Sequence, residues 1–322
     1  MDLTDKKILA FLDKNSRVQV SEIAKKLKIS RQVVQYRINQ LAKQGVILHF
    51  TTIVDPTKFV DNIWHIYIKL KSLTSDGEKE VIDFLSKIKN IWWIATCQGE
   101  WDLIFSYAGN NIFEFDSFMS KFISSHSNFV NGYQVTSFVK SYMFSRGYFL
   151  DEQRKRQEYV GMRNKSKIDM KDISILKMIS TNSRMNAVEL SLKTKLTPRQ
   201  VIYRIKELVK KEVIRAFRLH LNFDKIGYGY YKVCFYTRNF SESEENKIIS
   251  WCGTNPNTLY YVKKISPWTF EVEFETESYK ELGGILSDMR NKFGDFIDRM
   301  EITSILKEYK GELDILKTHA LN

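Results

Sequence analysis

The apolar positions near the start of the chain repeat with the period of short helices. Val34, Ile38 and Leu41 stand at i, i+4 and i+7, which gives one helix a single buried face. Ser30 comes just before this helix, where its hydroxyl can accept a hydrogen bond from a free backbone N–H. A shorter apolar stripe precedes Ser30, and a strand begins at Val46. The pattern predicts a helix-turn-helix and, with the strand, a winged one.

The opposite face of the second helix carries long polar side chains and no carboxylate. Such side chains can reach base edges and phosphates, which suits DNA, although any solvated helical hairpin also has a polar face. Arg37 lies beside a buried position and is expected to hold a local carboxylate or a phosphate rather than to read a base. The candidate DNA-contacting residues of this copy are Ser30, Arg31, Gln32, Gln35, Tyr36, Arg37 and Asn39.

Alternating strands and two amphipathic helices follow the turn at Asp55-Pro56, which we interpret as the end of the wing. The strands are rich in aromatic and β-branched residues, as the segment IWHIYIKL illustrates. The predicted strands cover residues 63–70, 91–97, 102–107 and 133–144, and the predicted helices cover 76–88 and 113–124. The order β-α-β-β-α-β predicts a ferredoxin-like α+β domain, an antiparallel sheet with two helices on one face.

The whole arrangement then occurs a second time. Each residue between positions 3 and 47 has a counterpart 167 positions later, and the two segments align without a gap. Asp5, for example, corresponds to Asp172. The sheet-domain elements recur more loosely, at 228–237, 241–252, 259–265, 269–275, 279–293 and 300–309. Repeats of this length indicate duplicated domains rather than a solenoid. The predicted domains are 1–57, 58–146, 168–224 and 225–322, and the basic connector at 147–167 is a solvated linker or lies along a phosphate backbone.

The two copies differ at positions that matter for DNA contact. Ile202 stands where the first copy has Gln35, and it can offer a base only an apolar contact. Glu212 stands in place of Gly45, so the second reading helix is expected to end in a different way. The second copy should therefore position the protein more than it selects sequence. Its candidate DNA-contacting residues are Thr197, Arg199, Gln200, Tyr203, Arg204 and Lys206.

Charge and cysteine content narrow the class of partner. The 322 residues include 50 Lys and Arg against 38 Asp and Glu, a formal net charge of +12, which favours a polyanionic partner such as double-stranded DNA. The sequence contains no transmembrane run or signal peptide, which predicts a cytoplasmic protein without a membrane partner. Three scattered cysteines and five dispersed histidines give no disulfide framework, metal site or cofactor site.

At this point the helix-turn-helix resembles the DNA-binding signature of the Lrp/AsnC (feast/famine) transcription regulators. The matching residues are Ile29, Ser30, Val34, Arg37, Ile38, Leu41, Gly45, Val46 and Ile47. The loop from Gly99 to Asp102 is similar to the effector loop of that family, Gly-x-x-Asp, and an ordinary hairpin turn would use the same residues. The resemblance implies a DNA-binding regulator that forms a homo-oligomer through its sheets and binds an amino-acid-like effector at Gly99, Glu100 and Asp102. Family members usually carry one copy and dimerise, so the tandem copy resembles a dimer fused into one chain.

Two other functions compete with regulation. An architectural, largely non-specific DNA-coating protein would also suit the net charge and the basic connector. A related group of enzymes with the same domain plan decarboxylates a haem precursor, which requires histidine and arginine side chains that converge on a tetrapyrrole. The sheet domains offer His65 and His126, which are far apart in the sequence, so the chain is not expected to be an enzyme.

The strands also predict how the sheets are covered. A sheet with helices on one face must bury its other face. We expect the two sheets to pair, within or between chains, through apolar and aromatic strand residues. These are Trp64, Ile66, Ile68 and Trp92 in the first copy and Tyr231, Val233, Phe235 and Tyr260 in the second.

Overall fold

The computed structural model describes residues 1–71, 75–150, 156–160 and 167–310. The first copy contains α1 (Leu3–Lys14), α2 (Val20–Leu27), α3 (Arg31–Lys43), β1 (Ile47–Val54), β2 (Asn62–Leu70), α4 (Ser75–Lys87), β3 (Ile91–Gly99), β4 (Leu103–Gly109), α5 (Ile112–Ser125) and β5 (Val130–Phe144). After β6 (Arg156–Val160), the second copy contains α6 (Met170–Thr181), α7 (Ala187–Thr194), α8 (Pro198–Lys210), β7 (Ile214–Leu221), α9 (Phe223–Ile226), β8 (Gly229–Thr237), α10 (Glu242–Thr254), β9 (Thr258–Ile265), β10 (Phe270–Thr276), α11 (Tyr279–Phe293) and β11 (Ile297–Lys310).

The predicted α+β class and the duplicated element order are confirmed, with element ends shifted by a few residues. The predicted connector lies partly outside the described residues. Within its described part, β6 pairs with β5 as an added edge strand, which the sequence did not predict. No helix among the described residues is long and apolar enough to cross a membrane.

The two sheets close on each other within one chain. The first sheet has the order β5-β2-β4-β3 and the second the order β11-β8-β10-β9. Both pairs of edges are joined, β3 to β11 and β5 to β9, so that eight antiparallel strands form a closed ring of pairings. The ring leaves few unpaired backbone groups at the sheet edges, where other chains could otherwise add a strand. The sheets thus pair within the chain.

At six of the eight named positions, the strand faces are the reverse of those expected from the sequence. Tyr260 packs in the ring interior as expected, and Trp92 packs against the second helix-turn-helix unit. Trp64, Ile66 and Ile68 pack under the helices of the first sheet, and Val233 and Phe235 pack under those of the second. The ring interior receives the alternate residues instead, because successive side chains of a strand point to opposite faces. Tyr67, Cys97, Ile104, Tyr230, Cys234 and Trp268 lie there.

Charged side chains are also buried inside the ring, where they neutralise each other. Lys264 Nζ lies 2.9 Å from Glu271, and Lys232 Nζ lies 3.1 Å from the same carboxylate. Lys232 also contacts Glu273. Burial would raise the pKa of Glu271, but the two lysine charges outweigh it and lower that pKa to about 2. In the sequence these residues alternate with apolar ones and look like a solvated face, which explains the reversed expectation.

The segment interpreted as the wing forms no hairpin within its own copy. Strand β1 pairs antiparallel with β7 of the other copy, and the two form a separate two-stranded sheet, which we call the linking ribbon. Each helix-turn-helix unit packs against the ribbon strand that comes from the other copy. The core of the first unit includes Leu219 and Leu221 of β7. The core of the second includes Val54 of β1 and Trp92 of the first sheet.

Equivalent residues of the two copies meet where the units cross. Ser16 Oγ lies 2.6 Å from Ser183 Oγ, its counterpart 167 positions later. Arg184 Nη1 donates to the carbonyl oxygen of Ser16 at 2.7 Å, and Arg17 donates in the same way to Ser183. The arginines also lie over Phe50 and Phe217, each 5.5 Å from the ring centroid. These reciprocal contacts are those of a two-fold symmetric dimer formed within one chain.

A buried ion network ties the first helix-turn-helix unit to the ribbon and to the second sheet. Asp13 of α1 accepts from Arg146 at 2.7 Å and from Arg218 of β7 at 3.1 Å. Arg146 also donates to Glu275 of β10 at 2.7 Å. Burial would raise the pKa of Asp13, but the charges of Arg218 and Arg146 outweigh it and hold that pKa below its ordinary value.

We predict that Asp13→Ala lowers the free energy of unfolding by about 3–5 kcal/mol, because it leaves buried arginine charges without their carboxylate. Urea denaturation followed by circular dichroism measures the loss. Asp2→Ala is the matched control, since it removes an exposed partner of Arg37 and should change stability much less. The folded pKa of Asp13 is depressed, so its stabilisation is complete above the unfolded value near 3.8 and is lost as the pH falls below it. Equal losses in the two variants would contradict the role given to the buried network.

Candidate nucleic-acid interface

Helix α3 presents the polar face that the sequence predicts. Val34, Ile38 and Leu41 are buried. Ser30 caps the helix, its hydroxyl accepting from the backbone N–H of Val33 at 3.2 Å. Gln35 Nε2 donates to Asn39 Oδ1 at 2.9 Å. The side chains on the exposed face are Arg31, Gln32, Gln35, Tyr36 and Asn39.

Helix α8 repeats this arrangement with different chemistry. Thr197 and Gln200 form a capping box, in which the Thr197 N–H donates to Gln200 Oε1 at 2.8 Å, so the Gln200 side chain serves its own helix. Ile202 is 48 % exposed at the position equivalent to Gln35. The remaining candidates on this face, Arg199, Tyr203 and Lys206, are exposed.

Arg37 and Arg204 hold local carboxylates. Arg37 Nη1 lies 2.7 Å from Asp2 and 2.8 Å from Asp5, at the start of α1. Arg204 Nη1 lies 2.8 Å from Asp169 and 2.7 Å from Asp172, at the start of α6. Each arginine therefore fastens the support helix of its unit to the reading helix. This was one of the two roles that the sequence left open for them.

The two reading helices end in the same way, which corrects the expectation for Glu212. Gly45 has a φ of +73°, and Glu212 adopts the same left-handed conformation with a φ of +57°. The following N–H donates to the same carbonyl in both copies, Val46 to Leu41 and Val213 to Leu208, each at 2.9 Å. Glu212 thus adopts a backbone conformation that glycine adopts at lower cost.

The loop from Gly99 to Asp102 lies at the seam between β3 and β11. Gly99 has a φ of +123°, and a Cβ atom there would lie 2.5 Å from the carbonyl oxygen of Ile302, so the close approach of two strands requires glycine. Asp102 already has partners, since it accepts from the Leu70 N–H at 2.8 Å and lies 3.3 Å from Lys69 Nζ. The Glu100 N–H points to Ile302 O at 3.4 Å. In the matching loop of the second copy, Trp268 is turned into the ring interior, where its Nε1 donates to Glu271 at 2.8 Å.

A cavity of about 440 Å³ lies between the linking ribbon and the ring of strands. Its lining includes three histidines, His49, His65 and His220, and two arginines, Arg146 and Arg218. Sequence reasoning missed this convergence because it weighed only the histidines of the sheet domains. His49 and His220 are brought opposite each other by the register of β1 and β7.

His126, by contrast, packs against Phe84 and Phe122 away from this cavity. No group of three or more His, Cys, Asp and Glu side chains within the described ranges is arranged to hold a metal ion.

Comparison with known proteins assigns the helix-turn-helix units. A family model described as winged helix-turn-helix DNA-binding matches residues 1–47 and 168–215. An HTH-type transcriptional regulator from Pyrococcus furiosus is 31% identical over 112 residues, which cover 34% of this chain and 75% of the relative. The HTH-type transcriptional regulator LysM of Sulfurisphaera tokodaii is 32% identical over 112 residues, which cover 35% of this chain and 77% of the relative.

Among solved structures, the siroheme decarboxylase NirDL superposes on 97% of this chain and 96% of its own length, with a TM-score of 0.62 and 12% identity. At that identity the likeness establishes the shared fold alone. The class of this protein is set by the duplicated DNA-binding motif and its sequence relatives: it is a DNA-binding helix-turn-helix transcription regulator. The chain belongs to the Lrp/AsnC family.

We predict that Gly99→Ala lowers the free energy of unfolding by about 1–3 kcal/mol, because alanine is strained at this φ and its methyl group meets Ile302 O. Thermal and urea unfolding measure the effect. Gly132→Ala is the control, since nothing lies within 4 Å of a Cβ there and its φ is not positive. A Gly99→Ala variant as stable as the control would show that the seam tolerates a side chain.

Proposed function

We propose that this regulator reads DNA mainly with α3 of the first copy, while α8 of the second copy fixes its position on the duplex. The proposal rests on one observation, the different chemistry of two equivalent exposed helix faces. The first offers amide side chains at Gln32, Gln35 and Asn39, and amides can make bidentate hydrogen bonds to adenine. The second offers Ile202 at the central position, with Arg199 and Lys206 on the same exposed face.

The hydrogen bond between Gln35 and Asn39 supports this division of roles. The two amides already lie 2.9 Å apart on one exposed face, so each side chain loses less conformational freedom when it meets a base. Ser30, Thr197 and Gln200 use their side chains to cap helices, so we assign the adjacent backbone N–H groups, rather than these side chains, to phosphate contact. Tyr36 and Tyr203, each 63 % exposed, are positioned to contact the sugar-phosphate backbone.

Arg37 and Arg204 act in this proposal mainly through their support helices. Their carboxylate partners lie at the start of α1 and of α6, so a phosphate would have to compete for the same guanidinium group. The proposed direct contacts are therefore made by Arg31 and Arg199, which stand in the first turn of each reading helix. If both helices enter successive major grooves on one face of DNA, the half-sites will be about 10 base pairs apart.

On the basis of the family resemblance, we also propose that whole chains self-associate. The same resemblance leads us to propose that an amino-acid effector binds near Gly99, Glu100 and Asp102. The loop lies at the boundary between the two sheets. An amino group that bound to Asp102 would have to displace Lys69 Nζ, which lies 3.3 Å from that carboxylate. Binding there would therefore loosen the link between Lys69 and Gly99 O, now 2.9 Å long.

We propose in addition that the chain regulates without catalysing decarboxylation. In the cavity that faces the ribbon, the two lining arginines are occupied, Arg146 by Asp13 and Glu275 and Arg218 by Asp13. They are therefore not free to hold the carboxylates of a tetrapyrrole. The relatives found by sequence are described as transcription regulators.

We predict that Gln35→Ala relaxes discrimination at particular base pairs by about 1–3 kcal/mol, while Ile202→Ala leaves the preferred sequence unchanged. Selection from a random DNA pool, followed by sequencing and footprinting, compares wild type with the two variants. Discrete protected sites support a regulator, and continuous coverage would instead indicate a DNA coat. An equal loss of specificity in both variants would overturn the proposed asymmetry.

We also predict that siroheme incubated with the protein under reducing, oxygen-free conditions keeps all its carboxyl groups. Mass spectrometry of the recovered tetrapyrrole checks this result, and heat-denatured protein serves as the control. A decarboxylated product that appears only with the folded protein would overturn the non-enzymatic proposal.

A further inference from the structure

Two arginines at the junction of the helix-turn-helix units carry charges that no carboxylate neutralises. Among the described arginines that are at least partly shielded from solvent, five face a carboxylate within 3.1 Å: Arg37, Arg146, Arg204, Arg215 and Arg218. The remaining two, Arg17 and Arg184, form no ion pair with the described chain. Burial lowers the pKa of both, and the nearby charge of Arg184 lowers the pKa of Arg17 further. A half-buried charge without a counter-ion is unfavourable, so a missing anion is indicated here.

The two arginines stand in an Asn-Ser-Arg segment that is identical in both copies. In each copy the asparagine side chain accepts from the backbone N–H of the arginine, Asn15 Oδ1 at 3.0 Å and Asn182 Oδ1 at 3.2 Å. The serines of the two segments meet on the pseudo-two-fold axis, so the arginines lie on either side of it. This identity contrasts with the exposed faces of α3 and α8, which differ between the copies.

One end of each guanidinium group is fixed and the other is free. Arg17 Nη1 donates to the carbonyl oxygen of Ser183 and, at 3.3 Å, to that of Met185. Arg184 Nη1 makes the two equivalent contacts to the first copy, at 2.7 and 3.1 Å. Nε and Nη2 of both arginines donate to no residue of the described chain. These two atoms form the edge of a guanidinium group that can bind two oxygens of a phosphate side by side.

The free N–H groups are open to solvent. Six sealed side-chain N or O atoms of the described chain lack a hydrogen-bond partner, and none of them belongs to Arg17 or Arg184. Nε and Nη2 of these arginines also lack a partner, so each of these atoms must retain accessible surface. Each guanidinium group lies over an aromatic ring, 5.5 Å from the centroid of Phe217 or Phe50. The ring supports the group from below and leaves its edge unobstructed.

The arginines lie on the face of the linking ribbon that is turned away from the ring of strands. Thr51 of β1 and Arg218 of β7 are opposite each other in the ribbon, and both line the cavity on the ring side. Their sequence neighbours Phe50 and Phe217 therefore point to the other face, where they pack against the cores of the two helix-turn-helix units. Because the arginines lie over these two rings, they occupy the space between the units.

A duplex that contacts both reading helices has to cross the pseudo-two-fold axis on this side, since the ring of strands occupies the other. When two helices enter successive major grooves, the groove between them is the minor groove, with one phosphate backbone along each of its sides. We propose that Arg17 and Arg184 each bind a phosphate of one DNA strand beside this central minor groove. The proposal rests on the proposed DNA-reading function.

The arrangement also explains why the segment is identical in both copies. Contacts to phosphate position a protein on DNA without reading sequence, so both units can use the same residue. Each arginine is anchored on the backbone of the other copy. A phosphate at its free edge would therefore connect DNA to both helix-turn-helix units at once and fix their spacing on the duplex.

The test measures the affinity of the full chain for a selected DNA fragment at several salt concentrations. Each phosphate contact contributes about 0.9 to the slope of log affinity against log salt. Arg17→Gln and Arg184→Gln should each weaken binding about tenfold and lower this slope by about 0.9, and the double variant should lower it by about 1.8. Ser16→Ala combined with Ser183→Ala is the matched control, since it alters the same junction without removing a charge. Its slope should equal that of the wild type.

Two further measurements separate a phosphate contact from a purely structural role. In ethylation interference, modified phosphates beside the central minor groove should block the wild type and have no effect on the double glutamine variant. Arg17→Lys combined with Arg184→Lys keeps both charges, so it should retain the slope while losing part of the affinity. Thermal unfolding verifies that each variant is folded, and the single glutamine variants replace the double one if it is not.

Several outcomes would overturn the proposal. Weaker binding of the glutamine variants with an unchanged slope would show that the arginines only fasten the two units together. Interference confined to the two half-sites would likewise exclude a central contact. Inorganic phosphate is titrated without DNA as a separate arm. Thermal stabilisation that the double variant loses, with an unchanged slope for DNA, would assign the arginines to a free anion instead.

These outcomes leave the proposed DNA-reading function standing. Failure of the wild type to bind any selected DNA would instead overturn that function and the central phosphate contact together.

Discussion

The structure depends on the closure of two sheet edges within one chain. A four-stranded sheet with helices on one face leaves both edges and the other face uncovered. Here β3 pairs with β11 and β5 pairs with β9, so each sheet supplies the edge partners of the other. The linking ribbon repeats this reciprocity, because β1 finds its partner in β7. Neither copy is therefore complete alone, and the fused chain achieves by covalent linkage what a dimer achieves by association.

Closure also explains why charged residues lie inside. Once the sheets close, most of the alternate strand residues are shielded from solvent, so buried lysine and glutamate side chains must neutralise each other. Lys232, Lys264 and Glu271 do so together with Tyr67, whose hydroxyl also bonds to Glu271. Such a network requires all its members, since removal of one leaves a buried charge. The second copy provides most of these charges, so the interior is asymmetric although the backbone is nearly two-fold.

The two copies also differ on the exposed faces of α3 and α8. Duplication preserved the residues that build each helix-turn-helix unit, including the arginine that clasps the support helix in both copies. The exposed faces differ, since Gln35 of α3 corresponds to Ile202 of α8. In a fused dimer one chain always delivers both units together, so the two exposed faces need not carry the same side chains.

Much of the fold could be predicted from the sequence. Helical spacing, the caps at Ser30 and Thr197 and the exact offset between copies determine local structure, because they depend on neighbours within a few residues. The need to cover the open face of each sheet also predicted that the two sheets pair. The exposed polar face of α3 could be predicted from local spacing, since the buried stripe of Val34, Ile38 and Leu41 fixes which side chains point outward.

The tertiary structure decided the rest. The sequence could not show that β1 pairs with β7 instead of forming a wing, nor that the alternate strand residues face inward. A strand pattern specifies two faces but not which of them is enclosed, and charged residues look solvated until their partners are known. Glu212 shows the same limit, since it adopts the left-handed conformation of Gly45 although the local preference there is for glycine. The cavity with His49, His65 and His220 exists only because the ribbon register and the ring closure bring together residues that are far apart in the chain.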